Sequence, residues 1–230
     1  MKKNILITGA SGNLGKAVVE KFLSEGHRVI AVFSPGRIPG NELRGGIESF
    51  EADLTVEKAV EEVIKKLVTR YQTVDAALLL VGGYAAGNIH ETDGVLLKKM
   101  YSLNFETAYF IARPVFSQMM RQAAGGRIIF IGARPALQAR DGKGSLAYAL
   151  SKSLIFKLAD YLNAEGSANQ VYSSVIVPGT IDTPTNRTAM PHADFSSWVS
   201  PEAIAEIIAF AVSDKAAPLR DAVLKVYGKA

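Results

Sequence analysis

The chain of 230 residues contains no cysteine. That excludes disulfide bridges and thiolate chemistry from any account of its activity. Of its three histidines, His90 and His192 fall in loop-like stretches with no carboxylate or second histidine at ligand spacing, so no metal site is expected. Long apolar runs are also missing. Ala76–Val81 is typical of the longest, far short of the roughly 20 residues that cross a bilayer. Basic residues exceed acidic ones by only four and are scattered among them, which leaves no stripe for nucleic acid. The opening MKKNILITG has neither the extended apolar region nor the cleavage site of a signal peptide. A cytoplasmic protein with no membrane partner is therefore expected. Repeats, low-complexity tracts and linkers are absent as well, so residues 1–230 read as one domain.

Almost half of the residues, 48%, are hydrophobic, enough to fill a core. They alternate between strand-like and helix-like patterns. Strands are expected at Ile5–Ile7, His27–Phe33, Ile47–Phe50, Asp75–Val81, Arg127–Ile131, Val171–Val177 and Ala222–Tyr227. Helices are expected at 13–26, Val56–Tyr71, Val95–Ala124 (kinked or broken at Pro114), Leu146–Glu165 and Pro201–Val212. The leucines spaced by four from Leu146 to Leu162 read as core, and Thr183–Trp198 reads as irregular. Such alternation implies an α/β fold, a single-domain Rossmann-like doubly wound parallel sheet with helices on both faces. Ligands in such sheets bind beyond the carboxyl ends of the strands.

Asn4–Gly15, NILITGASGNLG, is the most informative stretch. A short apolar strand runs into a turn with glycines at 9, 12 and 15 and then into an amphipathic helix. Gly9 suits the tight turn, Gly12 the close approach of a pyrophosphate, and Gly15 the packing of helix on strand. The free N–H groups and helix dipole there favour a phosphate. The alternative is a glycine-rich turn with no ligand.

Tyr148 and Lys152 stand one helical turn apart on one face. A lysine ammonium beside a phenol favours the phenolate and is expected to lower its pKa toward neutrality, which general acid–base catalysis needs. The bland alternative is a surface tyrosine beside a surface lysine.

Taken together, these motifs resemble the short-chain dehydrogenase/reductase family over the whole length. TGASGNLG (8–15) is similar to its cofactor loop in the G-x-x-G-x-x-G form, Tyr148–Lys152 to its Y-x-x-x-K motif, and Pro178–Thr183 to its P-G-x-x-x-T segment. The resemblance implies Tyr148, Lys152 and Asn104 as catalytic residues. It implies cofactor contacts from Gly9, Ser11, Gly12, Asn13, Leu14, Gly15, Asp53, Leu54, Gly82, Gly83, Pro178, Gly179, Ile181 and Thr183, besides Tyr148 and Lys152. Within the family, VGGYAAGN (81–88) and DTPTNRTAMPHADFSSW (182–198) resemble the quinonoid dihydropteridine reductases. That likeness implies a small planar acceptor, with Tyr84, Ala133, Met190 and Trp198 on the substrate side and 183–198 as a substrate-side loop. An ordinary ketone or alcohol, or a non-catalytic NADPH sensor, are the competing readings. The family also implies a homodimer or homotetramer through the helices at 95–124 and 146–165.

Two departures matter. Most members carry a substrate-holding serine after the strand at Arg127–Ile131, where this chain has Ala133; Ser145 is too near Tyr148 to be that residue. No acid follows Phe33 until Glu42, where NAD-preferring members have one for the ribose hydroxyls. Ser34 and Arg37 could instead meet a 2′-phosphate, so NADPH is expected over NADH. Arg37 as a solvated loop residue is the alternative. Asp53 could accept from an adenine amino group or cap the helix at Val56–Tyr71. Tyr84 could stack on a flat ring or simply pack on the core. Met190, Phe195 and Trp198 could form a lid or merely dock their loop.

Overall fold

The computed structural model describes residues 2–38, 46–220 and 223–229. Seven strands form one sheet: β1 Asn4–Thr8, β2 Arg28–Phe33, β3 Ile47–Glu51, β4 Ala76–Leu79, β5 Gly126–Ile131, β6 Val171–Pro178 and β7 Val223–Val226. Every pairing is parallel, in the order β3-β2-β1-β4-β5-β6-β7. The order reverses between β1 and β4, which opens a crevice at the carboxyl ends of those two strands. The expected strands all occur within one or two residues of their bounds. Ala222, expected to begin the last one, and Glu42 lie outside the described residues.

Helices cover both faces. The principal ones are α1 Asn13–Ser24, α2 Glu57–Tyr71, α3 Gly94–Tyr101 and α4 Thr107–Met119. Two single turns follow, α5 Arg134–Leu137 and α6 Ala139–Gly142, then α7 Leu146–Gly166, α8 Pro184–Ala189 and α9 Pro201–Val212. Strand side chains alternate between two cores. Leu6, Ile30, Ala77, Ile128 and Val175 face α2, α4 and α7. Ile5, Ile7, Val29, Ala76, Ile129 and Ile176 face α1 and α9. Because both faces are covered, the inner strands β1, β2, β4 and β5 read as largely apolar runs, whereas the edge strands β3 and β7 are partly exposed.

Three expectations are corrected. The helix expected at Val95–Ala124 is not broken at Pro114, which lies inside α4. The irregularity falls earlier, as a π-helical segment at Ser102–Glu106 between α3 and α4. The leucine row of α7 is only partly core: Leu150 and Leu154 are exposed. The row buried instead is Ala147, Ser151, Ile155, Ala159 and Asn163, which has the same spacing but is offset by one position, about 100° around the helix. Finally, Thr183–Trp198 is not wholly irregular. Thr183 accepts a hydrogen bond from the Asn186 amide at 3.2 Å and, with Pro184 at the first helical position, starts α8.

Candidate active site

The turn after β1 has the geometry its glycines require. Gly9 has φ +72°, and its carbonyl accepts from Gly12 N–H at 3.0 Å. A Cβ on Gly15 would lie 2.0 Å from the Gly9 carbonyl oxygen. Only glycine lets α1 sit this close to the strand. Gly12 is the N-cap of α1 with no side-chain cap, and Ser11, Gly12 and Asn13 are exposed while Leu14 is half-buried. The start of α1 is thus exposed and free of a side-chain cap, a cradle suited to a diphosphate.

The neighbouring strand closes the other wall. A Cβ on Gly9 would come 3.2 Å from the backbone of Leu80 and Val81, just beyond β4. One residue on, a Cβ on Gly82 would meet Asn104 Oδ1 at 2.8 Å and Lys152 Nζ at 3.0 Å. The structure therefore brings the first turn, Gly82, Asn104 and Lys152 to one point, the switch between β1 and β4. Gly83 is held by Asn104 on both sides: its N–H donates to Oδ1 at 2.9 Å and its carbonyl accepts from Nδ2 at 3.0 Å. Nδ2 also donates to Ser151 Oγ at 3.1 Å, and that hydroxyl donates to the Tyr148 carbonyl at 2.8 Å. Asn104 sits within the π-helical segment, a feature that often marks functional sites.

Lys152 is buried, and its ammonium donates to the Ile131 carbonyl at the end of β5 at 2.8 Å. Burial pulls its pKa down to about 8. Tyr148 is half-buried against Tyr84, and loss of hydration, with a smaller push from Tyr84, drives its pKa up to about 12. This reverses the expected downward shift. The reason is physical: loss of hydration penalises the phenolate, and the Lys152 ammonium is engaged by the Ile131 carbonyl. At neutral pH Tyr148 is an O–H donor. The Tyr84 ring meets it edge-on at 5.2 Å while remaining 67% exposed, so Tyr84 is not core packing.

The other expected residues lie around this centre. Ala133 is buried two residues beyond the carbonyl that takes the Lys152 ammonium, and offers no donor. Pro178 ends β6, and Gly179 lies so near Tyr227 that a Cβ would be 2.9 Å from its carbonyl oxygen. The Ile181 carbonyl accepts from Asn186 Nδ2 at 2.8 Å. Thr183 is buried and, because its oxygen accepts from Asn186, keeps its own proton to donate. Leu54 is buried. Asp53 does not cap α2, whose N-cap is Val56. It accepts instead from the Thr55 amide at 2.9 Å and hydroxyl at 2.7 Å, which hold its carboxyl below the usual range.

Ser34 and Arg37 are exposed on a turn, with Arg37 N–H donating to the Ser34 carbonyl at 3.0 Å. Asp182 and Arg187 form a bidentate pair at 2.6 and 2.7 Å. Arg187 stacks on Phe195 at 4.8 Å, and Phe195 meets Trp198 at 4.7 Å. Those four residues of the 182–198 stretch brace one another; Met190 is exposed. Sequence reading passed over two groups near these residues. Ser151 binds partners that only the fold brings to it, although its place inside the Y-x-x-x-K spacing was a signal. Glu51 accepts from Gly36 N–H at 2.7 Å, and only strand pairing reveals it.

A doubly wound sheet with a glycine cradle at its switch point, and a tyrosine and a buried lysine beside it, defines an oxidoreductase class. The chain belongs to the short chain dehydrogenase family, whose model matches residues 3–194. It is similar to the dihydropteridine reductase of Dictyostelium discoideum, 30% identical over 209 residues that cover 90% of this chain and 86% of that protein. It is also similar to the 3-oxoacyl-acyl-carrier-protein reductase MabA of Mycobacterium bovis, 24% identical over 99% of this chain and 92% of that one. Among solved structures, that of ElxO with NADP bound superimposes with a TM-score of 0.89 at 24% identity, covering 99% of this chain and 98% of that chain. Among the described residues no helix is long and apolar enough to cross a membrane, and no cluster of metal-binding side chains occurs.

Proposed function

We propose that this chain is an NADPH-dependent short-chain reductase in which Tyr148 is the proton donor. The observation that carries the reading is a phenol kept protonated by burial one helical turn from a fully buried lysine, at the switch point of the sheet. The NADP bound to ElxO supports the cofactor. Gly9, Ser11, Gly12, Asn13, Leu14 and Gly15 would hold the diphosphate, Ser34 and Arg37 a 2′-phosphate, and Asp53 and Leu54 the adenine. Gly82, Gly83, Pro178, Gly179, Ile181 and Thr183 would frame the nicotinamide. When bound, the reduced nicotinamide supplies the hydride. Tyr148 donates its proton to the acceptor, Lys152 holds a ribose and supports the phenol, and Asn104 fixes the wall at Gly83 and completes the proton path.

For the acceptor, Ala133 and Tyr84 favour a planar conjugated ring such as a quinonoid dihydropteridine. Such a ring is already polarised and needs no hydroxyl at 133, and Tyr84 offers an exposed aromatic face to it. An ordinary ketone or alcohol is the second reading. It has the broader support among relatives, which include several 3-oxoacyl reductases and a 7alpha-hydroxysteroid dehydrogenase. NADPH oxidation assayed with a quinonoid dihydropteridine beside a 3-oxoacyl thioester and simple ketones separates the two. At least a hundredfold higher kcat/KM for the pterin is expected; the reverse order establishes the second. Binding of NADPH without oxidation by any acceptor would make the chain a sensor.

A homodimer or homotetramer through α3, α4 and α7 accompanies this reading, because those helices leave Leu97, Tyr101, Tyr109, Leu150 and Leu154 exposed.

A further inference from the structure

The turn after β2 carries a carboxylate that the linear sequence hides. Ser34–Arg37 closes with the Arg37 N–H on the Ser34 carbonyl at 3.0 Å, and Gly36, third in the turn, has φ +69°. Pro35 second and a glycine of positive φ third make a type II turn. The Gly36 N–H is left free by that turn, and it donates to Glu51 Oε1 at 2.7 Å. Glu51 ends β3 and is paired in register with Phe33, the last residue of β2. Glu51, Ser34 and Arg37 therefore share the end of β2, all three exposed. No acid follows β2 in sequence before residue 42, yet one stands beside it in space.

We propose that Glu51 is a selectivity residue for the cofactor: its carboxylate, fixed on this turn, opposes a 2′-phosphate that Arg37 attracts. The inference rests on the NADPH reading above. Charges of opposite sign on this turn and on the strand end bonded to it lie within a Debye length of any phosphate bound there, so both act on it. The preference for NADPH then measures Arg37 against Glu51 and is less than Arg37 alone would give.

Glu51→Gln tests this, because the amide oxygen still accepts from Gly36 N–H while the charge is gone. Dissociation constants of the full-length chain for NADPH and NADH are measured by cofactor fluorescence at low salt and again near half-molar salt. The ratio of the NADH constant to the NADPH constant should rise roughly three- to tenfold at low salt, and the gain should shrink at high salt. A ratio within twofold of the parent, or an equal shift for both cofactors, overturns the proposal. Arg37→Ala, measured in parallel, should lower the same ratio. If it does not, the 2′-phosphate reading of Ser34 and Arg37 fails, while the Gln variant still decides whether charge at 51 matters.

Discussion

Tyr148 has its pKa near 12 and Lys152 near 8, so burial sets the protonation of both. Replacing Tyr148 with Phe removes the O–H and little volume. NADPH binding should persist, and turnover should fall by roughly two to four orders of magnitude. Unchanged turnover would take the phenol out of the mechanism. Lys152 yields a second prediction. Unfolded, a lysine keeps its proton to about pH 10.4; folded, this one releases it near 8. Between those values the unfolded state binds more protons, so this group adds stability as pH rises. Relative to Lys152→Met, which cannot titrate, the wild-type chain should gain roughly 2 kcal/mol of unfolding free energy between pH 8 and 10. Denaturant melts of both proteins at the two pH values check it; a constant difference would mean that Lys152 is hydrated. The pair was legible from its spacing, but the direction of the Tyr148 shift was not, because desolvation depends on what α7 packs against.

The turn between β1 and α1 tests the packing of one element on another. Gly15→Ala places a Cβ 2.0 Å from a backbone oxygen that cannot rotate away. The helix must move off the turn. A loss of roughly 1–3 kcal/mol in stability and at least tenfold in NADPH affinity should follow. Gly12→Ala meets the same oxygen at 3.3 Å, a tight but yielding contact, and should cost less than about 1 kcal/mol. Thermal melts with cofactor titration distinguish them, and equal effects would remove the close approach as the reason for Gly15. This turn could be read from sequence because its contacts are local. The π-helical segment could not: the partners of Asn104 are 21 residues back at Gly83 and 47 residues on at Ser151. Pro114 drew the expected break to itself, since proline is the local signal for one. Glu51 was missed for the same reason as Asn104's partners, since register with β2 is not written in either strand alone.

For the molecule as a whole, several of the exposed apolar side chains gather between two helices. Leu97, Tyr101, Leu150 and Leu154 line a groove of about 340 Å³ between α3 and α7, together with Lys98, Ser151 and Ser153. The side chain of Ser151 reaches the Asn104 amide and the Tyr148 carbonyl from this groove's floor, so the groove backs directly onto the candidate active site. A second copy laid across it would bury the leucines, each worth roughly 1.5–3 kcal/mol when fully covered, and would stiffen the helix that carries Tyr148 and Lys152. Leu150→Arg with Leu154→Arg puts two cations beside Lys98, where they repel it and cannot be covered by an apolar partner. Light scattering on the parent should give a dimer or tetramer of the 24.7 kDa chain, and on the double variant a monomer. Turnover of the variant should fall more than its NADPH affinity, because α7 carries Tyr148 and Lys152 whereas the glycine turn before α1 packs with α1 against the other face of the sheet. A parent that is monomeric at assay concentrations, or a monomeric variant with full turnover, would sever the link between this face and the chemistry.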